Sequence, residues 1–146
     1  MPRFIKVLAL AGTVLALSAG PALAANPHIV GSPSATVSGN TLTLKASVAG
    51  LGNVETVTFT LEGTVDVFSQ CYNRGGKNPA ADNKQETLAV SSTETFPVRN
   101  GRTNATFTVT PLSSLDCPGN QIVVIESVSF DLDLVHQGTV LYTFSG

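Results

Sequence analysis

The sequence has no tryptophan, two tyrosines and two histidines among its 146 residues. Charged residues make up 12% of it, about half the share that is usual in a soluble domain. These figures exclude a disordered acidic or basic tail, a coiled coil and a collagen-like fibre. The length suits one domain and leaves no room for two of ordinary size.

The N-terminal segment has the features of a secretory signal peptide. Arg3 and Lys6 supply two positive charges, and residues 7–17 follow as an uncharged stretch. Gly20-Pro21 then breaks any helix, and Ala22-Leu23-Ala24 has the small-x-small form of a cleavage site. The uncharged stretch is shorter than the roughly 20 apolar residues that a membrane-spanning helix needs. We therefore expect a signal peptide over residues 1–24 and a secreted single domain over residues 25–146, with no membrane attachment after cleavage.

The charge of the expected mature chain argues against nucleic acid as a partner. Residues 25–146 contain six Lys or Arg and ten Asp or Glu, which gives a formal net charge of −4 with neutral histidines. Binding to a phosphate backbone requires several clustered basic side chains. No basic stripe of that kind is present, so we expect no nucleic-acid partner.

The two cysteines, Cys71 and Cys117, are expected to form a disulfide, because cysteines in an exported chain usually pair. The closed loop of about 46 residues corresponds to about 4 kcal/mol of chain-entropy stabilisation. The alternative is a thiol nucleophile, which needs a histidine partner. Neither His28 nor His136 is near a cysteine in the sequence.

Apolar and polar residues alternate along much of residues 25–146, as in half-buried β-strands. Residues 41–48 and 56–62 show the alternation most clearly, and the second pattern keeps its parity as far as Cys71. One strand of that length would span about 50 Å, which exceeds the width expected for this domain. We therefore expect a bulge at Gly63, or a bend there that carries the chain from one sheet to the other.

The C-terminal half contains further strand patterns. They cover residues 88–96, 103–110, 122–134 and 140–144. Pro97 indicates an edge strand, Asn100-Gly101 and Gln137-Gly138 indicate turns, and a change of parity predicts a bulge near Glu126. Seven or eight strands without a helical period predict an all-β fold, a two-sheet antiparallel sandwich of immunoglobulin-like type. The immunoglobulin tryptophan is missing, and a small barrel is the alternative.

The longest stretch without a strand pattern, residues 72–86, is the candidate binding loop, because loops of this length often carry function. Its tyrosine can stack on a sugar ring, and its basic and amide side chains can form hydrogen bonds. The candidate ligand-binding residues are Tyr72, Asn73, Arg74, Lys77 and Asn78. A second loop, residues 112–121, carries Cys117, and the disulfide would join both loops into one patch. The alternative is that the first loop is only anchored by Cys71 and binds nothing.

Residues that could support catalysis or metal binding are few. Asp131 and Asp133 lie about 7 Å apart on one strand face, and paired carboxylates can bind calcium or serve as the acid and nucleophile of a glycosidase. There is no Asp-rich loop, however, and aromatic walls for a sugar cleft are lacking, so we interpret them as solvated surface charges. No serine-hydrolase, zinc-protease or Ser-x-x-Lys motif occurs, and neither histidine has an obvious local carboxylate to orient it. The sequence therefore predicts no catalytic residue, no metal and no cofactor.

Two segments support a resemblance to a known group of proteins. Residues 71–79, Cys-Tyr-Asn-Arg-Gly-Gly-Lys-Asn-Pro, and residues 117–121, Cys-Pro-Gly-Asn-Gln, resemble a pattern in small exported proteins of high-GC Gram-positive bacteria. Those proteins also have a signal peptide, two cysteines and strands rich in Thr and Ser. The resemblance implies secretion and a disulfide. It implies no substrate, cofactor or catalytic residue.

Three functional hypotheses follow from the sequence. The first is a secreted, non-enzymatic domain that binds a cell-wall polymer, a glycan or another extracellular protein. The second is a secreted protease inhibitor, for which a disulfide-braced loop would be suitable, or a small hydrolase, for which no base is found. The third is self-association through sheet edges, against which Pro97 and the outward charges argue.

Overall fold

Residues 25–146 are described by a computed structural model, and the expected signal peptide over residues 1–24 lies outside the described residues. The described residues form seven strands in two antiparallel sheets. The strands are β1 (His28–Ser38), β2 (Thr41–Ala49), β3 (Thr56–Tyr72), β4 (Pro79–Pro97), β5 (Thr103–Val109), β6 (Ile122–His136) and β7 (Thr139–Ser145). The orders are β1-β2-β5 in the three-stranded sheet and β4-β3-β6-β7 in the four-stranded sheet. The predicted immunoglobulin-like sandwich is confirmed.

The fourth strand distinguishes this sandwich from the constant-type immunoglobulin arrangement. In that arrangement the fourth strand joins the first, second and fifth strands. Here β4 pairs with β3 over a long hairpin, from Thr56 opposite Pro97 to Tyr72 opposite Pro79. As a result β4 is an edge strand, as Pro97 indicated, and the hairpin extends well beyond the short strands β2 and β5.

The core lies between the two sheets and follows the alternation of the sequence. Its apolar side chains come from both sheets and from the segment after β5, and the largest fully buried ones are Leu42, Leu44, Phe59, Leu61, Leu112, Leu132 and Leu134. Burial of each such side chain contributes about 1.5–3 kcal/mol. Phe96 joins the sheets, because its ring centroid lies 6.0 Å from that of Phe59 and 5.4 Å from that of Phe107.

The predicted bulge or bend at Gly63 is wrong. β3 runs without a break, and Gly63 pairs in regular register with Val90 on β4 and Leu132 on β6. Its φ of +143° favours glycine, and a Cβ atom at this position would overlap the carbonyl oxygen of Asp131. The glycine is therefore needed for a close approach of β6 to β3. The long strand fits because β4 and β6 are long as well.

The predicted bulge near Glu126 is confirmed. The register between β3 and β6 moves from Phe68 opposite Ser127 to Ser69 opposite Ile125, so Glu126 has no partner on β3. The extra residue moves the side chains that precede it to the opposite face. This explains why the apolar parity changes in the middle of β6.

The two predicted turns are also confirmed. Asn100 and Gly101 have φ values of +51° and +70°, and Gln137 and Gly138 have values of +49° and +78°. Positive φ at both central residues is the requirement of a type I′ turn. The first turn, however, connects β4 of one sheet to β5 of the other, so it carries the chain between the sheets.

Candidate functional site at the tip of the β3–β4 hairpin

The predicted disulfide is confirmed, and the structure excludes a free thiol at either cysteine. Cys71 and Cys117 are bonded with an S–S distance of 1.99 Å and a Cα–Cα distance of 5.6 Å. Cys71 is fully buried at the end of β3. The bond attaches the segment between β5 and β6, residues 110–121, to the far half of the hairpin.

The predicted fifteen-residue loop over residues 72–86 is wrong. β4 begins at Pro79, and its first part pairs with the end of β3. Only residues 73–78 connect the two strands, and two backbone bonds close this turn. The Asn73 N–H donates to the Asn78 carbonyl at 2.9 Å, and the Gly76 N–H donates to the Asn73 carbonyl at 2.8 Å.

The strand over residues 79–86 lacks the usual alternation because it lies at a sheet edge and does not face the apolar core. Two of its inward positions are occupied by Lys84 and Glu86, which lie opposite Ser69 and Val67 on β3. These two side chains contact the segment over residues 110–121. A pattern search for apolar residues therefore does not detect this part of β4.

The structure brings Tyr72 next to a residue that the sequence did not indicate, Ile122. Tyr72 is half-buried and pairs with Ile122 at the start of β6. Ile122 keeps 48% of its surface exposed, and a Cβ atom on Gly76 would lie 3.6 Å from its Cδ1 atom. Residues 72–78 together with Ile122 are called the tip surface below.

The remaining predicted binding residues lie on the same short connection. Asn73 and Asn78 close the turn through their backbones, and Arg74 and Lys77 are exposed. Neither basic side chain forms an ion pair with a residue of the described chain. The tip surface thus offers an apolar ring and an isoleucine beside two free positive charges and two amides.

Glu126 acts on the tyrosine of the tip surface. Hydrogen bonding to the Glu126 carboxylate raises the pKa of Tyr72, and partial desolvation and the negative charge raise it further. The phenol therefore stays protonated at neutral pH. It can stack and donate a hydrogen bond, and it is unsuited to acid–base catalysis in this range.

A polar cluster behind the tip surface fixes the segment over residues 110–121. Glu86 accepts hydrogen bonds from the Ser113 hydroxyl at 3.1 Å, the Ser114 N–H at 2.8 Å and the Ser114 hydroxyl at 2.5 Å. The Lys84 ammonium lies 3.2 Å from the same carboxylate. The buried Ser113 and Ser69 hydroxyls lie 2.6 Å apart. These five residues are called the Glu86 clamp.

The clamp also reaches the other sheet. The Ser113 N–H donates to Asn40 Oδ1 at 2.8 Å, and the Leu112 N–H donates to the Asn40 carbonyl at 3.0 Å. Asn40 belongs to the turn between β1 and β2. The clamp and the disulfide together hold the far half of the hairpin against the body of the sandwich.

The donors around Glu86 lower its pKa from 4.5 to about 2. The Ser114 hydroxyl contributes most, followed by the Ser114 backbone N–H, and the Lys84 and Ser113 side chains add to the effect. Desolvation acts in the opposite direction. The carboxylate is therefore ionised at every ordinary pH, and its four bonds are present throughout that range.

The pair of Ser114 and Lys84 resembles a nucleophile and its base, with Nζ 2.5 Å from the hydroxyl oxygen. A general base must be neutral. Here Lys84 is ion-paired with the Glu86 carboxylate, which also accepts the Ser114 N–H that an oxyanion would need. The arrangement is therefore suited to bracing the fold.

The other polar candidates lie elsewhere. Asp133 accepts a hydrogen bond from the Thr143 hydroxyl on the outer face of the four-stranded sheet. His28 Nδ1 lies 2.8 Å from the Asn26 carbonyl, and His136 Nδ1 lies 3.0 Å from the Thr58 carbonyl. Within residues 25–146 no group of three or more His, Cys, Asp or Glu side chains is arranged to hold a metal ion.

A cleft of about 620 Å³ lies at the end of the β3–β4 hairpin opposite the tip. Its walls include Pro27, Leu51, Val54, His136 and Leu141. His136 is the single titratable side chain among the wall residues, and no carboxylate accompanies it. The cleft therefore has no acid–base pair.

Compared with models of protein families and with curated protein sequences, the chain matches neither a family nor a curated relative. Among residues 25–146 there is no helix long and apolar enough to cross a membrane.

Proposed function

We propose that the protein is a secreted, non-enzymatic domain that binds a glycan or cell-wall polymer through the tip surface. One observation carries the proposal: the tip surface is exposed, yet the disulfide and the Glu86 clamp brace the strands that present it. A site that is ordered before binding loses less conformational entropy when it binds. Loops on such scaffolds are common places for recognition.

The chemistry of the tip surface suits a carbohydrate. The Tyr72 ring, next to Ile122, offers an apolar face for a sugar ring. Arg74 and Lys77 donate hydrogen bonds to hydroxyl or carboxylate oxygens, and the amide of Asn78 can both donate and accept. The disulfide supports an extracellular location, because such bonds persist in oxidising compartments.

The test is retention of the oxidised protein, purified from a secretory expression host, on insoluble chitin, cellulose and bacterial wall material. We expect retention on at least one polymer, and loss of retention in the variant Y72A/R74A/K77A. The matched control is Q85E/Q137E, which changes the net charge by the same two units. Both positions are exposed and lie outside the tip surface.

Retention of the wild type and the control, with loss of the tip variant, supports the proposal. Equal retention of all three proteins removes the tip surface from it. If no polymer retains the wild type, the glycan proposal is refuted. Circular dichroism and thermal unfolding of each variant show whether its fold is intact.

A second candidate, protease inhibition, is favoured by a specific feature of the tip. Arg74 and Lys77 lie exposed on a six-residue connection that follows a disulfide-bonded strand. Proteases with an acidic specificity pocket bind such a side chain. This candidate predicts inhibition of a trypsin-like protease, abolished by R74A/K77A. Cleavage of the connection without inhibition would refute it.

A further inference from the structure

The charges of the domain are divided unequally between its two sheets. The strands of the four-stranded sheet carry eight acidic residues, which are Glu62, Asp66, Asp82, Glu86, Glu94, Glu126, Asp131 and Asp133. The strands of the three-stranded sheet carry no Asp or Glu, and Lys45 on β2 is their one Lys or Arg. Residues 25–146 together have a net charge of −4. The strands of the smaller sheet carry none of this negative charge, so its outer surface is less negative than the rest of the described chain.

A groove crosses the outer face of the three-stranded sheet. It consists of two adjoining depressions of about 660 Å³ and 340 Å³, which share Ser47 and Asn104 as wall residues. One border is a bulge in β1. Val30 pairs with Ser47 and Ser34 pairs with Lys45, so β1 advances by four residues where β2 advances by two. Another is the turn between β4 and β5, which contributes Arg99 and Arg102.

The groove contains half of the basic residues of the described chain. Lys45, Arg99 and Arg102 all line it and are all exposed. No acidic residue is among its wall residues, and none of the three basic side chains forms an ion pair with a described residue. Three unpaired cations in one groove favour a negatively charged occupant.

The positive charges are at separate places along the groove. Lys45 pairs with Thr106 on β5, whereas Arg102 immediately precedes β5. Arg102 lies four residues before Thr106, which is about 13 Å along the strand direction. Between them are polar groups such as Ser47 and Asn104, whose side chains bond to each other at 2.6 Å. An elongated ligand with several negative groups suits this spacing, whereas one small anion contacts only one end.

We propose that this groove binds the chain of an acidic polysaccharide, with carboxylate groups near Lys45 at one end and near the arginine pair at the other. The hydroxyl and amide groups between these ends match sugar hydroxyls. No aromatic residue lines the groove, so it lacks the stacking surface that single-stranded nucleic acid uses. The site is separate from the tip surface and stands without it.

The test is calorimetric titration of the oxidised protein with an oligomer of galacturonic acid, with the galacturonate monomer and with a neutral oligosaccharide of equal length. We expect binding of the acidic oligomer, weaker binding of the monomer and none of the neutral chain. R99A/R102A should raise the Kd about tenfold, which corresponds to about 1.4 kcal/mol, because it removes both positive charges at one end of the groove. K45A should raise it less. The affinity should fall as salt is added.

The matched control is Q85E/Q137E, which changes the net charge by the same two units at exposed positions outside both the groove and the tip surface. An unchanged Kd in this variant supports the groove, and an equal loss would overturn the proposal in favour of a general charge effect. The proposal also fails if the oligomer does not bind, or if single-stranded DNA of equal charge binds as tightly. The groove and tip proposals can fail independently, because the variants that test them remove different side chains.

The test has one more outcome, self-association, because the basic groove of one copy could bind the acidic four-stranded sheet of another. Sedimentation at low salt and several protein concentrations detects it. Oligomers that dissociate in R99A/R102A, together with no binding of the acidic oligomer, would overturn the polysaccharide proposal. Monomers that bind the oligomer support it.

Discussion

Replacing Glu86 with Gln tests whether the Glu86 clamp stabilises the fold. The substitution preserves shape and removes the charge, so the hydroxyl and N–H donors of Ser113 and Ser114 and the Lys84 ammonium lose their anionic acceptor. The side chain of Glu86 is only 13% exposed, so water replaces these bonds poorly. We expect E86Q to destabilise the domain at neutral pH.

The magnitude follows from the lowered pKa of Glu86, about 2 in the folded protein against an ordinary 4.5. At about 1.4 kcal/mol per pH unit, this corresponds to about 3 kcal/mol. Because the folded pKa is the lower one, the contribution is complete above about pH 5 and is lost as the pH falls from 4.5 towards 2. Since Gln does not titrate, the difference in stability between wild type and E86Q should shrink across this window.

The assay is urea unfolding of the oxidised proteins at pH 7 and at pH 2.5, with E94Q as the matched control. Glu94 lies on the same strand and is exposed. Its carboxylate accepts one long hydrogen bond, of 3.5 Å, from the Ser92 hydroxyl. We expect a loss of about 2–3 kcal/mol for E86Q at pH 7, less than about 1 kcal/mol at pH 2.5, and about 0.5 kcal/mol or less for E94Q. Equal losses in both variants, or a loss in E86Q that is unchanged at pH 2.5, would refute the reasoning.

Further predictions concern packing and covalent structure and are read from the free energy of unfolding. G63A should cost about 3 kcal/mol or more, because its Cβ atom overlaps a carbonyl oxygen of β6, whereas G39A, with φ of +55° and open space, should cost about 1–2 kcal/mol. Similar values for the two glycine variants would contradict this account. C71A/C117A should cost about 3–5 kcal/mol, and an unchanged midpoint of unfolding would show that the disulfide adds no stability. F96A should cost about 2–3 kcal/mol, because its ring links aromatic side chains of both sheets, and a loss below about 1 kcal/mol would contradict that role.

The sandwich could be predicted because most strands have one face in the core and one in solvent. That arrangement leaves a period of two in the sequence, and Asn-Gly and Gln-Gly mark the turns. The bulge at Glu126 was visible for the same reason, as a break in the period. At Gly63 the sequence showed that something unusual was present. It did not show that the cause was the close approach of β6.

The candidate site was predicted only in part, because several of its contacts join distant parts of the chain. Residues 79–86 were missed as a strand, since their inward side chains, Lys84 and Glu86, bind Ser114, which lies 30 and 28 positions further on. Ile122 was missed because an exposed apolar residue in a strand has no distinguishing pattern. The one available signal was the bulge at Glu126, because it turns Ile122 away from the core although Ile122 has the same parity as the buried half of β6. Lys45 and the two arginines of the groove are separated by more than 50 positions and meet only in the folded sheet.

The central claim, that the tip surface binds a glycan or cell-wall polymer, is tested most directly by hydrogen exchange with and without ligand. The ligands are soluble chitin fragments and soluble fragments of bacterial wall material, added to the oxidised protein. The account predicts slower amide exchange over residues 72–78 and 122–124, with no change around His136 in the opposite cleft. Slower exchange in that cleft with an unchanged tip, or no change with any fragment, would contradict the account.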